Sequence, residues 1–209
     1  WGALDGIKVL DVLAPQRFRE FVLEPFEDSR LPRLGAYADL DVDPLRVELA
    51  VFPGTTVHQL PEPGAWFELQ APRFRFGASP GATLPPVVGG APDLDTSCTT
   101  LGLRVSGEVG RTDVRAQFVR GPDPEPVGLL QGSGPDRVLR LQHRNRELLG
   151  VTASRALGPL AARAEIAWER DRAFNRRDVR GLGEVRHDQL RAGIGVDAFA
   201  PGEVFVNVQ

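Results

Sequence analysis

At 209 residues the chain has room for one large domain or two small ones, and 42% hydrophobic residues with a net charge of -3 exclude wholesale disorder. The near balance of charge leaves no basic footprint, so nucleic acid is not an expected partner. A single cysteine, Cys98, excludes an internal disulfide, no Cys/His spacing matches a zinc site, and no apolar run approaches the ~18 residues of a membrane helix.

Residues 1–32 carry Asp5, Asp11, Arg19, Glu20, Glu27, Asp28 and Arg30 with little periodicity, which reads as an irregular segment folded inward. Two roles fit its charges. Asp11, Arg19, Glu20, Asp28 and Arg30 could form a constriction that sets a field on passing solutes, or they could be a paired network that holds the segment in place. The second is preferred, because charges enclosed in a barrel must be paired whatever passes through.

From 34 to 52 the pattern changes to strict alternation: in "LRVELAVF" Leu45, Val47, Leu49 and Val51 oppose Arg46, Glu48, Ala50 and Phe52, the period of a strand between two media. "DLDVD" at 39–43 lacks the glycine and distal glutamate of a calcium loop, so it reads as a hairpin end and no metal is expected. A Pro-rich link at 53–99 follows, with Trp66, Phe67, Phe74 and Phe76 interleaved with Arg73 and Arg75; it is a lid or an outer cap. Alternation returns at 101–119, where Leu101, Leu103, Val105 and Val109 oppose Gly102, Arg104, Ser106 and Glu108, with Arg115 and Gln117 on the polar side of the second arm.

A link at 121–137 leads to a third hairpin, 138–169. Its arm "LAARAEIAWER" has the composition of a helix, yet Leu160, Ala162, Ala164, Ile166 and Trp168 fall on one side and Arg163, Glu165 and Glu169 on the other. Its neighbours override the local propensity. Continued parity in the first arm would place Asn145 and Glu147 on the apolar side, so that either a bulge re-registers the strand or its upper part stands in water. After a link at 170–187 the fourth hairpin, 189–209, sets Leu190, Ile194 and Val196 against Arg191 and Asp197.

Short turns such as "GRTD" (110–113) and "LGP" (157–159) alternate with long links, which describes an antiparallel up-and-down meander over 33–209. Such a meander is a transmembrane β-barrel or a soluble barrel or sandwich that binds a ligand with its apolar side inward. The transmembrane reading is preferred. The apolar side is rich in Ala and Val, Trp168 and Phe199 stand near strand ends, the polar side mixes Arg with Glu or Asp, and the loops are unequal. In lipid an arginine on the outer face costs about 2–4 kcal/mol at the midplane, so the charged parity must face the interior. The residues expected to line it are Arg46, Glu48, Arg104, Glu108, Arg115, Gln117, Arg163, Glu165, Arg191 and Asp197. His58, His143 and His187 accompany no nucleophile motif, and neither enzymatic chemistry nor a cofactor is expected.

The opening segment, through Trp1-Gly2, Asp5-Gly6, Val9, Asp11-Val12, Pro15-Gln16, Arg19-Glu20, the run Glu27-Asp28-Ser29-Arg30 and Pro32, resembles the signature of a Gram-negative outer-membrane family of porin-like β-barrels, domain-of-unknown-function family 1302. Glu48, Gly102-Leu103-Arg104, "LGPLAARAEIAW" and Asp188-Gln189-Leu190 are similar to that family as well. The resemblance implies the bacterial outer membrane as location, its lipid and a small, hydrophobic solute as partners, and a ring wider than eight strands, of which this chain is an internal section. The absence of methionine and the start at Trp1 fit a piece of a longer polypeptide or a processed product.

Overall fold

The computed structural model describes residues 10, 13–17, 29–54, 56–59, 87–89, 99–133, 136–176, 183–200 and 204–208; of 87–89, 199–200 and 204–208 only the backbone is described. Asp11, Arg19, Glu20 and Asp28, the six singled-out residues of the 53–99 link, and Cys98 lie outside these. The described chain is all β. The strands are β1 (Ala36–Val42), β2 (Leu45–Phe52), β3 (Val87–Gly89), β4 (Thr100–Val109), β5 (Thr112–Pro122), β6 (Val127–Gln131), β7 (Val138–Gln142), β8 (Asn145–Leu157), β9 (Leu160–Asn175), β10 (Glu184–Ala200) and β11 (Val204–Val208).

Eight of them form one antiparallel sheet in the order β1-β2-β4-β5-β8-β9-β10-β11, and β3, β7 and β6 form a second. Residues 160–170 are strand, not helix. Gly110 and Gly158, with φ of 68° and 66°, open two of the two-residue turns; a positive φ at that first position is what a type II′ hairpin turn requires, and glycine supplies it without steric cost.

Four departures from the expected layout matter for the site. The third hairpin is divided: Val138–Gln142 belongs to the small sheet, and the large sheet takes up only Asn145 onward. The division falls at His143 and Arg144, whose Nδ1 and carbonyl oxygen are tied to the Asp123 carbonyl at 2.8 Å and the Asp123 N–H at 2.7 Å, turning the chain from one sheet to the other. The 121–137 link holds a strand of its own, β6, and β3 pairs with β7 in parallel rather than antiparallel fashion. β9 runs on to Asn175 and β10 starts at Glu184, so much of the 170–187 link is strand and Trp168 stands in mid-strand. Finally, the sheet is open: its end strands are β1 and β11, and no pairing joins them among the described residues.

Residue parity is continuous along β8, and the re-registering bulge lies elsewhere, in β9. His187 pairs with Arg172 and Gln189 with Glu169, so Arg170 and Asp171 together oppose Asp188. Asp171 has φ of 49°, a left-handed conformation that Asp tolerates better than most residues, and its N–H donates to Asp188 Oδ1 at 3.0 Å. The extra residue brings both Glu169 and Arg172 to the buried face, which strict alternation would have put on opposite faces.

Candidate functional site

The sheet is apolar on its exposed face and charged on its buried one. Leu49, Leu103, Phe118, Leu149, Trp168 and Leu190 form one row across six strands, each at least 37% exposed. Ile166 is 46% and Ile194 75% exposed on the same face. On the other face Glu48, Glu165, Glu169 and Asp197 are 3% exposed or less. A soluble sandwich has the opposite arrangement, because burying carboxylates while leaving Leu, Ile and Trp in water loses free energy twice.

The exposed face also changes character along the strands. Beyond Phe118, Leu149 and Trp168 come Arg120, Glu147 and Arg170, which with Asp171, Arg186 and Asp188 border an open polar hollow. Glu147 therefore keeps its place on the apolar parity, within 3.5 Å of Arg120, in a charged rim above the apolar band. From Leu160 to Trp168 that band covers about 27 Å along β9.

All ten residues expected to line an interior share the charged face. In register, Glu48, Arg104, Gln117 and Arg191 stand in one row, with Gly150 and Ala167 between the last two; Arg46, Arg115 and Glu165 stand in the next, with Ser106, Thr152 and Gly193. Their ion pairs cross between strands. Glu48 binds Arg104 and accepts a hydrogen bond from the Tyr37 hydroxyl, Arg46 binds Asp39, and Arg163 Nη2 lies 2.6 Å from Asp197 Oδ2. Arg191 meets Glu169, not Asp197. Glu48 and Arg104 are directly opposed, ~5 Å apart, while the other three ion pairs are diagonal, two positions out of register and ~7–8 Å apart, a span that arginine reaches; Asp197 lies six residues, ~20 Å, along β10 from Arg191. Glu108 and Arg115 border an open hollow of about 470 Å³ near the β1–β2 and β4–β5 turns, together with Asp41, Arg46 and Asp113. Arg30 lies on the N-terminal segment, bridged to Gln16.

A second cluster on this face was missed by pattern reading. Glu169, fully buried, binds Arg191 through one oxygen; the other lies 3.5 Å from Arg172 Nε and 3.8 Å from Arg146 Nη1. Arg172 donates from Nε to Asp123 (2.9 Å), from Nη1 to Gln189 (2.6 Å) and from Nη2 to Glu125 (2.7 Å). Arg146 lies 3.7 Å from the same Asp123. Parity had placed Glu169 on the polar side, but nothing local signalled the bulge that adds Arg172 or the fold of "DPEP" that brings in Asp123 and Glu125.

Between the two ion-pair groups the charged face is apolar. Val119, Leu148 and Ala167 form a patch edged by Phe52, and Leu10 and Leu13 of the N-terminal segment cover it. The Gln117 side-chain amide donates to the Leu10 carbonyl at 3.1 Å, Gln16 N–H donates to His58 Nδ1 at 2.9 Å, and Gln59 N–H to the Gln16 carbonyl at 2.9 Å. Gly150 makes room for the cover, since a Cβ there would come within 2.1 Å of a Leu10 methyl. Gly150→Val is expected to unseat Leu10 and cost about 1–3 kcal/mol, read from the denaturation midpoint in detergent. Among the described residues no cluster of His, Cys, Asp and Glu has metal-holding geometry, and no helix is long and apolar enough to cross a membrane.

The fold and faces define a class, a mostly antiparallel all-β protein whose large sheet has one apolar, exposed face and one charged, partly covered face. No family model matches the chain, and no curated protein or solved structure does.

Proposed function

We propose that the chain is a section of an outer-membrane β-barrel of a Gram-negative bacterium that passes small molecules, hydrophobic ones among them, by diffusion along its charged inner face without covalent chemistry. The observation that carries this reading is the inverted parity: across six neighbouring strands large apolar side chains are exposed, while on the opposite face Glu48, Arg146, Glu165, Glu169, Arg172 and Asp197 are buried. Lipid is the solvent in which that face is stable, and the charged rim above Trp168 supports the same placement. The free edges of β1 and β11 fit either closure on one another or insertion into a larger ring. The resemblance of residues 1–32 to porin-like outer-membrane proteins agrees with it.

Conductance in a planar bilayer tests the reading. Arg163→Ala leaves Asp197, and Arg191→Ala leaves Glu169, without its closest cation. Both variants are expected to shift selectivity towards cations. Unchanged current and selectivity, or a chain that stays monomeric in detergent-free buffer, would count against the channel.

A further inference from the structure

Arg33, between the N-terminal segment and β1, differs from the cations around it. Nearby, the guanidiniums of Arg146, Arg172 and Arg191 are matched by the carboxylates of Asp123, Glu125 and Glu169. Among the described residues Arg33 is a fourth cation beside those three pairs of charges. Its Nη1 donates to the Leu13 carbonyl at 3.0 Å, its Nη2 to Thr100 Oγ1 at 3.0 Å and to the Gly54 carbonyl at 3.4 Å, and its guanidinium lies 4.7 Å from the Phe52 ring centroid. Every one of these partners is neutral; among the described residues Arg33 meets no carboxylate.

Arg33 and Arg146 line one narrow cavity with Thr100, Val119 and Gly121. Burial, and the like charge of Arg146, hold the Arg33 pKa below its ordinary value, so an anion entering there relieves both. The cavity's free volume is about 10 Å³, about what one water needs, so a ligand seats a single oxygen of its head there. Beside it lies the apolar patch of Val119, Leu148 and Ala167, now occupied by the side chains of Leu10 and Leu13.

We infer that Arg33 and Arg146 are the carboxylate seat of a binding site for amphipathic monocarboxylates, whose hydrocarbon tail replaces Leu10 and Leu13 on the apolar patch. The inference rests on the channel reading and names a solute class for it. Head and tail act together, because the group that holds the covering segment is the group that receives the ligand. Arg33 binds the Leu13 carbonyl, and a carboxylate competes for a guanidinium about twice as strongly as a neutral acceptor. Seating the carboxylate thus frees Leu13 as the tail needs its place.

Calorimetric titration of the full chain in detergent with octanoate, octanol and acetate tests this. Octanoate is expected to bind, and octanol and acetate to bind roughly tenfold more weakly or worse. Arg33→Gln is expected to weaken octanoate roughly 10- to 100-fold, with Arg33→Lys, which keeps the charge and loses the fork, in between. Leu10→Ala is expected to tighten octanoate, since its cover is easier to displace. Micelle uptake of octanoate is common to all variants, so the differences report the site. Equal octanoate affinity in the native chain and Arg33→Gln, or octanol equal to octanoate, overturns the inference. Binding is read without a bilayer: a chain that conducts but takes no octanoate sinks this site alone, and one that binds octanoate as described but carries no current sinks the channel alone.

Discussion

Ile166→Arg is expected to destabilise the chain by about 1–3 kcal/mol when it is unfolded from lipid vesicles by denaturant, between the ~2–4 kcal/mol of an arginine at the midplane of a barrel's outer face and the ~0–1 near an interface. Ile166 lies inside the apolar band, two residues from Trp168 and six from Leu160, in register with Val151 on β8 and Ala192 on β10, and its side chain is 46% exposed. A residue so exposed in an ordinary soluble protein takes a charge at a cost within about 0.5 kcal/mol. The same substitution thus separates the two solvents by the size of one number. Arg170 on the same strand already presents a charge beyond Trp168, and Arg170→Leu is the control, expected to leave stability within about 0.5 kcal/mol. A neutral outcome for Ile166→Arg in vesicles would remove lipid from contact with this face.

Glu169→Gln is expected to cost about 3–5 kcal/mol, the largest effect of a single substitution on the charged face, because it takes one partner from a buried ionic cluster and leaves the other uncompensated. Glu169 is fully buried and stands among Arg146, Arg172 and Arg191, so the loss of one negative charge leaves three guanidiniums against Asp123 and Glu125. Gln keeps the shape and one acceptor, which isolates charge from packing. Glu108→Gln, at an exposed position of the same face, is expected to stay within about 0.5 kcal/mol. Equal stability of the two variants, measured as denaturation midpoints in detergent, would mean that water already neutralises the cluster.

How far the sequence could be read differs between the faces and the partners on them. Alternation is a property of neighbouring residues, since successive side chains of any strand point to opposite sides. Leu160 to Trp168 therefore declared itself a strand against its own helical composition, and Arg163, Glu165, Arg191 and Asp197 could be put on one face without knowledge of what lay beside them. The hairpins with two-residue turns were equally local, because Gly110 and Gly158 supply the backbone conformation those turns need.

The partners were not local. Arg191 stands two residues from Gly193 and six from Asp197, yet it pairs with Glu169 of the neighbouring strand, through a register that no single strand encodes. Arg172 reaches the buried face only because Asp171 adopts a left-handed conformation in a bulge, a choice made jointly by β9 and β10. Val138–Gln142 alternates as well as any arm of the large sheet, and only the ties of His143 and Arg144 to Asp123 send it to another.

What the sequence determined by itself is which side chains share a face, because a period of two is fixed by backbone geometry wherever no bulge interrupts the strand. Tertiary structure alone decided which carboxylate neutralises which guanidinium, where Leu10 and Leu13 lie, and that the described partners of Arg33 are neutral oxygens and the Phe52 ring. Those outcomes depend on separations of about 5–8 Å between residues far apart in the chain, which register, one bulge and a folded-back segment set together.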